Sequence, residues 1–122
     1  MNVDLELKKA FQEQQVKMVE TTQQVRVADT QIEFQKRSQQ HAKLTSTEIG
    51  KYPQETRVYE GVGRMFILQD IPTIQNLLSE RVKKCETKVK DLESKKTYLE
   101  RTLKESEDNL REMVASKQAI LK

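Results

Sequence analysis

Side chains that could carry out a reaction are few in this sequence. His41 is the single histidine and Cys85 the single cysteine. Cys85 falls at an apolar-periodic helix position, where it reads as a buried small hydrophobe and not as a reactive thiol. A structural zinc site needs four ligands, so this pair is too small a set. Gly61-Val62-Gly63 lacks the third glycine and the following helix of a dinucleotide fingerprint. The 19 Asp and Glu residues alternate with 22 Lys and Arg, which reads as solvated helix faces. The expectation is therefore no enzyme, with no catalytic residue, metal site or cofactor. What remains is apolar association. Val3, Leu5, Leu7 and Phe11 near one end, and Met113, Val114, Ile120 and Leu121 near the other, exceed what one helical seam can bury. They form an adaptable surface for varied partners, weak at each site and useful when several arms act together. A second set lies at the centre: Val58, Tyr59, Val62, Gly63, Met65, Phe66, Ile67 and Leu68.

The elements that must position these groups follow from the helix breakers. All three glycines (Gly50, Gly61, Gly63) and both prolines (Pro53, Pro72) fall between residues 50 and 72 of a 122-residue chain. Two uninterrupted charged arms flank that centre. Leu, Ile, Val and Phe make up about a quarter of the chain, above the level at which disorder is expected but lean for a compact globule. In the C-terminal arm, steps of three and four from Leu78 meet Val82, Cys85, Val89, Leu92, Lys96, Leu99, Leu103, Ser106, Leu110, Met113, Lys117 and Ile120. That is the heptad seam of a coiled coil, on a helix roughly 75 Å long. Asp70 is the expected N-cap, with Pro72 in the first turn. The N-terminal arm follows the same spacing more weakly through Leu7, Phe11, Gln14, Met18, Thr21, Val25, Ala28, Ile32, Gln35, Gln39 and Ala42. Thr45 and Glu48 have the spacing of a capping box. They predict a break near 43–45, then a short helical turn ending at Gly50.

Neither arm can hide its stripe alone. A short centre lets the chain fold back and pair its arms antiparallel, bringing Leu7 near Met113, Phe11 near Leu110 and Met18 near Leu103. A parallel homodimer is the alternative, and the similar arm lengths favour the fold-back. The centre switches to strand-like runs, Arg57–Val62 and Met65–Gln69, with Gly63-Arg64 suited to a type II′ turn. That register faces Val62 with Met65, Glu60 with Ile67 and Val58 with Gln69. It also pairs Gly61 with Phe66 and Tyr59 with Leu68, and sets Arg57 opposite Asp70 for an ion pair. Both faces are apolar and both edges unpaired, so the hairpin is expected to join a sheet made with other chains. The predicted fold is mainly α: a long antiparallel two-helix coiled coil joined by a single β-hairpin. It is one domain, 1–122, with an arm at 1–50, the hairpin at 56–70 and an arm at 71–122.

Charge narrows the function classes further. The net charge of +3 arises entirely in residues 76–122, where twelve bases alternate with nine acids. A phosphate-tracking surface needs a one-signed stripe, so no nucleic acid is expected. No run approaches the apolar length of a membrane span, and the start lacks the regions of a signal peptide. A lone cysteine fits a reducing compartment. The expected location is cytoplasmic, with a nuclear pool open.

The stretch Tyr59-Glu60-Gly61-Val62-Gly63-Arg64-Met65-Phe66-Ile67-Leu68-Gln69 closely resembles the hairpin of prefoldin β-class subunits. The resemblance continues through Val3–Phe11, His41–Thr45, Lys96–Arg101 and Glu107–Met113, and departs at Gly50, Pro53 and Pro72. It implies a hexamer of two α-class and four β-class subunits, joined by their hairpins, with coiled-coil tips that bind unfolded polypeptides. It further implies clients such as actin and tubulin and delivery, without ATP, to the cytosolic group II chaperonin. A passive coiled-coil scaffold or tether is the alternative, but a tether has no need of a two-faced apolar hairpin at its midpoint.

Overall fold

The computed structural model describes the backbone of residues 2–121 and the side chains of residues 5–117. Element order is α1 (Asn2–Gly50), β1 (Val58–Val62), β2 (Met65–Gln69) and α2 (Ile71–Leu121). The strands pair antiparallel as one two-stranded sheet. The seam lies where its spacing put it: each position from Leu7 to Ala42 and from Leu78 to Met113 is buried or half-buried. Cys85 is a buried free thiol within it.

The chain forms two compact units. The first comprises Met1–Thr30 with Leu92–Lys122. Thr21, Ala28, Leu99 and Ser106 are buried there, and Thr21 satisfies its hydroxyl by donating to the Lys17 carbonyl at 2.8 Å. Lys96, a charged residue in the seam, reaches out of it to Asp29 at 2.7 Å and to Glu100 at 3.8 Å. The hydrogen bond it donates to Asp29, and then the negative charge there, hold the Lys96 ammonium above its ordinary pKa. A long aliphatic stem allows this: methylenes cover the seam while the ammonium meets its partner in water.

The second unit is Gln31–Asp91. Ala42, with no exposed surface, packs with Ile74 and Leu78, and Ile49, Val58 and Val82 close around them. Burying a side chain such as Ile74 or Leu78 contributes about 1.5–3 kcal/mol. The glutamine at seam position 39 has its own reason, since Gln39 Nε2 donates to Glu86 Oε1 across the helix pair at 3.0 Å.

The break expected near residues 43–45 does not occur; α1 is continuous from Asn2 to Gly50. Thr45 donates its hydroxyl back to the His41 carbonyl at 2.8 Å, and Glu48 pairs with Lys51 at 3.1 Å. The capping-box residues are thus satisfied without breaking the helix. Ala42 and Ile49 carry the apolar spacing across this stretch, and their packing overrides the local capping preference. The helix closes with bonds from Lys51 N–H to the Glu48 carbonyl and Tyr52 N–H to the Ile49 carbonyl, both 3.2 Å. Gly50 is not in the left-handed region. A Cβ there would sit 3.2 Å from Gln75 Nε2, the tip of a flexible side chain that would have to give by a few tenths of an ångström.

At the start of α2, Asp70 accepts from Thr73 N–H at 3.2 Å while its own carbonyl receives Ile74 N–H. That is the N-cap predicted from sequence. The expected Arg57–Asp70 ion pair does not form, because strand pairing ends at Val58 and Gln69 and the carboxylate turns to the helix. The hydrogen bond from Thr73 lowers the Asp70 pKa. A depressed carboxylate pKa stabilises the fold above the ordinary carboxylate range, and that contribution is lost as pH falls through the lowered value. Asp70→Ala should therefore melt below wild type at pH 7, and the gap should close on acidification through that range. A pH-independent gap in thermal melts would contradict the cap.

Gln14 is the weak point of the seam: its side-chain oxygen is buried with no hydrogen-bond partner. An orphaned buried acceptor costs about 1–3 kcal/mol. Gln14→Leu is expected to raise unfolding stability by about 1 kcal/mol, measured by urea titration with far-UV circular dichroism. An unchanged or lower midpoint would show that this oxygen is solvated.

Candidate functional site

The hairpin adopts the register expected from its sequence: Val62 opposite Met65, Gly61 opposite Phe66, Glu60 opposite Ile67, Tyr59 opposite Leu68 and Val58 opposite Gln69. Gly63 takes φ 61°, and among the described residues none other than glycine has positive φ. With Arg64 at negative φ, a type I′ turn is excluded and the geometry is that of type II′. Gly63 is required by that angle, which side chains bearing a Cβ rarely adopt.

Directly opposed residues share a face. One face holds Val58, Glu60, Val62, Met65, Ile67 and Gln69; the other holds Tyr59, Phe66 and Leu68 around Gly61. Val58, Glu60 and Gln69 are half-buried at the base of the sheet. Val58 packs on the Ala42–Ile74–Leu78 cluster, so this residue, predicted for assembly, anchors the hairpin to its own helices. Tyr59, Val62, Met65, Phe66, Ile67 and Leu68 are all exposed, with Phe66 reaching 76%. β1 and β2 pair only with each other, leaving one free edge each. Apolar groups on two faces and free backbone on two edges are the properties of a sheet awaiting further strands. Covering one exposed aromatic side chain removes about 150–250 Å² from water, so a few of them suffice for a lasting interface.

The residues predicted as a tip surface divide. Leu5 is 67% exposed and Val114 is exposed. Leu7, Phe11 and Met113 are half-buried seam residues. The side chains of Val3, Ile120 and Leu121 lie outside the described residues. Sequence reasoning missed Val16 and Val19, which are 58% and 67% exposed. With Met18 and Leu110 they line an open apolar groove of about 570 Å³ in the first unit. The signal was present: two valines one turn apart, outside the seam, where charged residues are the norm.

His41 is exposed and Cys85 buried. Among the described residues, no three His, Cys, Asp or Glu side chains are grouped to hold a metal. No described helix is long and apolar enough to cross a membrane.

Comparison with known proteins agrees with this geometry. Residues 12–117 match the family model described as Prefoldin subunit. The chain is 56% identical to prefoldin subunit 1 of Bos taurus over 117 residues, covering 96% of each. It is likewise 56% identical to prefoldin subunit 1 of Homo sapiens, again over 117 residues and 96% of each. The crystal structure of the prefoldin beta subunit from Thermococcus strain KS-1 is similar in fold, with TM-score 0.76 and 21% identity, covering 84% of this chain and 90% of that one.

The hairpin geometry makes a direct prediction. Phe66→Asp with Ile67→Asp puts a charge on each face of the sheet, where burial without a partner is costly. The doubly substituted chain is expected to drop out of subunit assemblies in size-exclusion chromatography while keeping its far-UV helicity. Full incorporation would mean that these side chains face solvent in the assembly.

Proposed function

The chain belongs to the prefoldin subunit family, non-enzymatic chaperone components that assemble with other prefoldin subunits, and we propose that it is a β-class subunit of a hetero-hexamer capturing unfolded polypeptides. The proposed clients are non-native chains such as actin and tubulin, passed to the cytosolic group II chaperonin without ATP. The cytoplasm is the proposed location. Contact with the client is assigned to the arm surface: Leu5, Val114 and the flanking groove, together with Val3, Ile120 and Leu121.

The observation that carries this reading is the exposed apolar surface of the first unit. Its seam is already filled by Leu7, Phe11, Met18, Leu103, Leu110 and Met113. Leu5, Val16, Val19 and Val114 remain in water after that pairing is complete. Small apolar groups without directional hydrogen bonds accept many sequences, which suits a binder of unfolded chains. A tether reading explains the coiled coil but leaves the two-faced hairpin without a purpose.

Deleting residues 1–8 and 115–122, combined with Val16→Gln and Val19→Gln, tests the assignment while sparing most seam layers. Each apolar side chain lost forgoes up to about 1.5–3 kcal/mol of client contact if fully buried there. Hexamers trimmed in this subunit alone should retain part of their protection, because several arms share the client. Hexamers trimmed equivalently in all subunits should fail to suppress aggregation of a denatured client. Undiminished protection by the fully trimmed ring would place the client surface elsewhere.

A further inference from the structure

We propose that the assembly surface extends off the hairpin into an apolar basin beside β1, and that a strand of a neighbouring prefoldin subunit fills it with a bulky apolar side chain next to a carboxylate. This deepens the assembly reading of the hairpin and rests on it. The basin has a volume of about 620 Å³, and Ile49, Tyr52, Val58, Tyr59, Phe66 and Arg57 line it. It therefore joins the C-terminal end of α1, the loop after it and the outward face of the sheet.

Three observations choose the occupant. First, the basin is continuous with the exposed hairpin: Tyr59 and Phe66 belong both to its wall and to the apolar face that awaits other strands. Second, β1 pairs on one side only, with β2. A strand adding along its free edge sends alternate side chains to opposite faces. Those on the Tyr59–Phe66 face would pass over the basin, and aromatic walls of this kind are where interface energy concentrates. Third, Arg57 is the one charged residue of the lining, and it has no acidic partner among the described residues. Nearby, by contrast, the Lys51 ammonium is taken by Glu48. An unpaired guanidinium at the rim of an apolar basin selects a carboxylate on the incoming strand and binds it with two parallel hydrogen bonds.

The test uses the full chain assembled with its prefoldin partners, an α-class subunit among them, followed by native mass spectrometry and sedimentation. Tyr52 and Arg57 are exposed, so Tyr52→Ser and Arg57→Glu should leave far-UV helicity unchanged. Each is expected to weaken incorporation at least tenfold. Arg57→Ala should also flatten the salt dependence of assembly, a change that a packing defect would not cause. Wild-type incorporation of these variants, with the Phe66→Asp/Ile67→Asp chain excluded, would overturn the basin and leave the hairpin reading standing. Incorporation of all of them would overturn both. Loss of client protection with assembly intact would make the occupant a client, and loss of self-association alone would make it a second copy; either result overturns the inference.

Discussion

A stripe repeating every three and four residues holds α1 and α2 together, and the other features depend on that seam. Neither helix can remove its stripe from water unaided. Helical propensity alone also would not sustain chains of this charge, because most helical stability in proteins comes from packing one apolar face. Three of the seam's polar residues have an outlet. Lys96 extends to Asp29, Gln39 reaches Glu86, and Thr21 bonds its own helix. Gln14 has no such outlet.

With the seam fixed, the hairpin has little room to satisfy itself. Its base is held by Val58 against the Ala42 cluster, and the sheet is only two strands wide. One face therefore gains partial cover near its base and the other gains none. A short sheet with exposed Phe66, Leu68, Met65 and Ile67 is stable only as part of something larger. Local chemistry makes the hairpin, through Gly63 at positive φ and alternating apolar residues. The same chemistry leaves it incomplete.

Much of this was legible in the sequence because it rests on local or periodic rules. The seam register, the strand pairing, the turn type and the Asp70 cap each depend on residues only a few positions apart, or on a fixed repeat. Errors arose where a local rule met packing. Thr45 and Glu48 have the spacing of a helix start, but Ala42 and Ile49 anchor the helix on both sides of them, and burial outweighs a cap on the order of 1 kcal/mol. Asp70 could serve Arg57 or its own helix, and spacing alone did not rank the two. Leu5 and Leu7 looked equivalent as sequence, yet Leu7 falls in the seam and Leu5 outside it. Val16 and Val19 escaped notice because attention to the 3,4 repeat discards whatever lies off it.

The two exposed apolar surfaces differ in make-up. Around the hairpin the exposed groups are large: Tyr59, Phe66, Met65 and Leu68. Fully covering a side chain such as Phe66, Met65 or Leu68 is worth about 1.5–3 kcal/mol before the costs of association. On the arm unit the exposed groups are Leu5, Val16, Val19, Val27 and Val114 with one aromatic, Tyr98, and the aliphatic ones contribute about 1.5–3 kcal/mol each when fully covered. Those values barely exceed the entropy lost in ordering an unfolded segment, about 1–2 kcal/mol per residue of backbone. A grip built from such small increments releases readily unless several arms share it. One force, the removal of apolar surface from water, thus acts at both surfaces; at the hairpin free strand edges add backbone pairing to it, whereas the helical arm has its backbone already bonded and offers side chains alone.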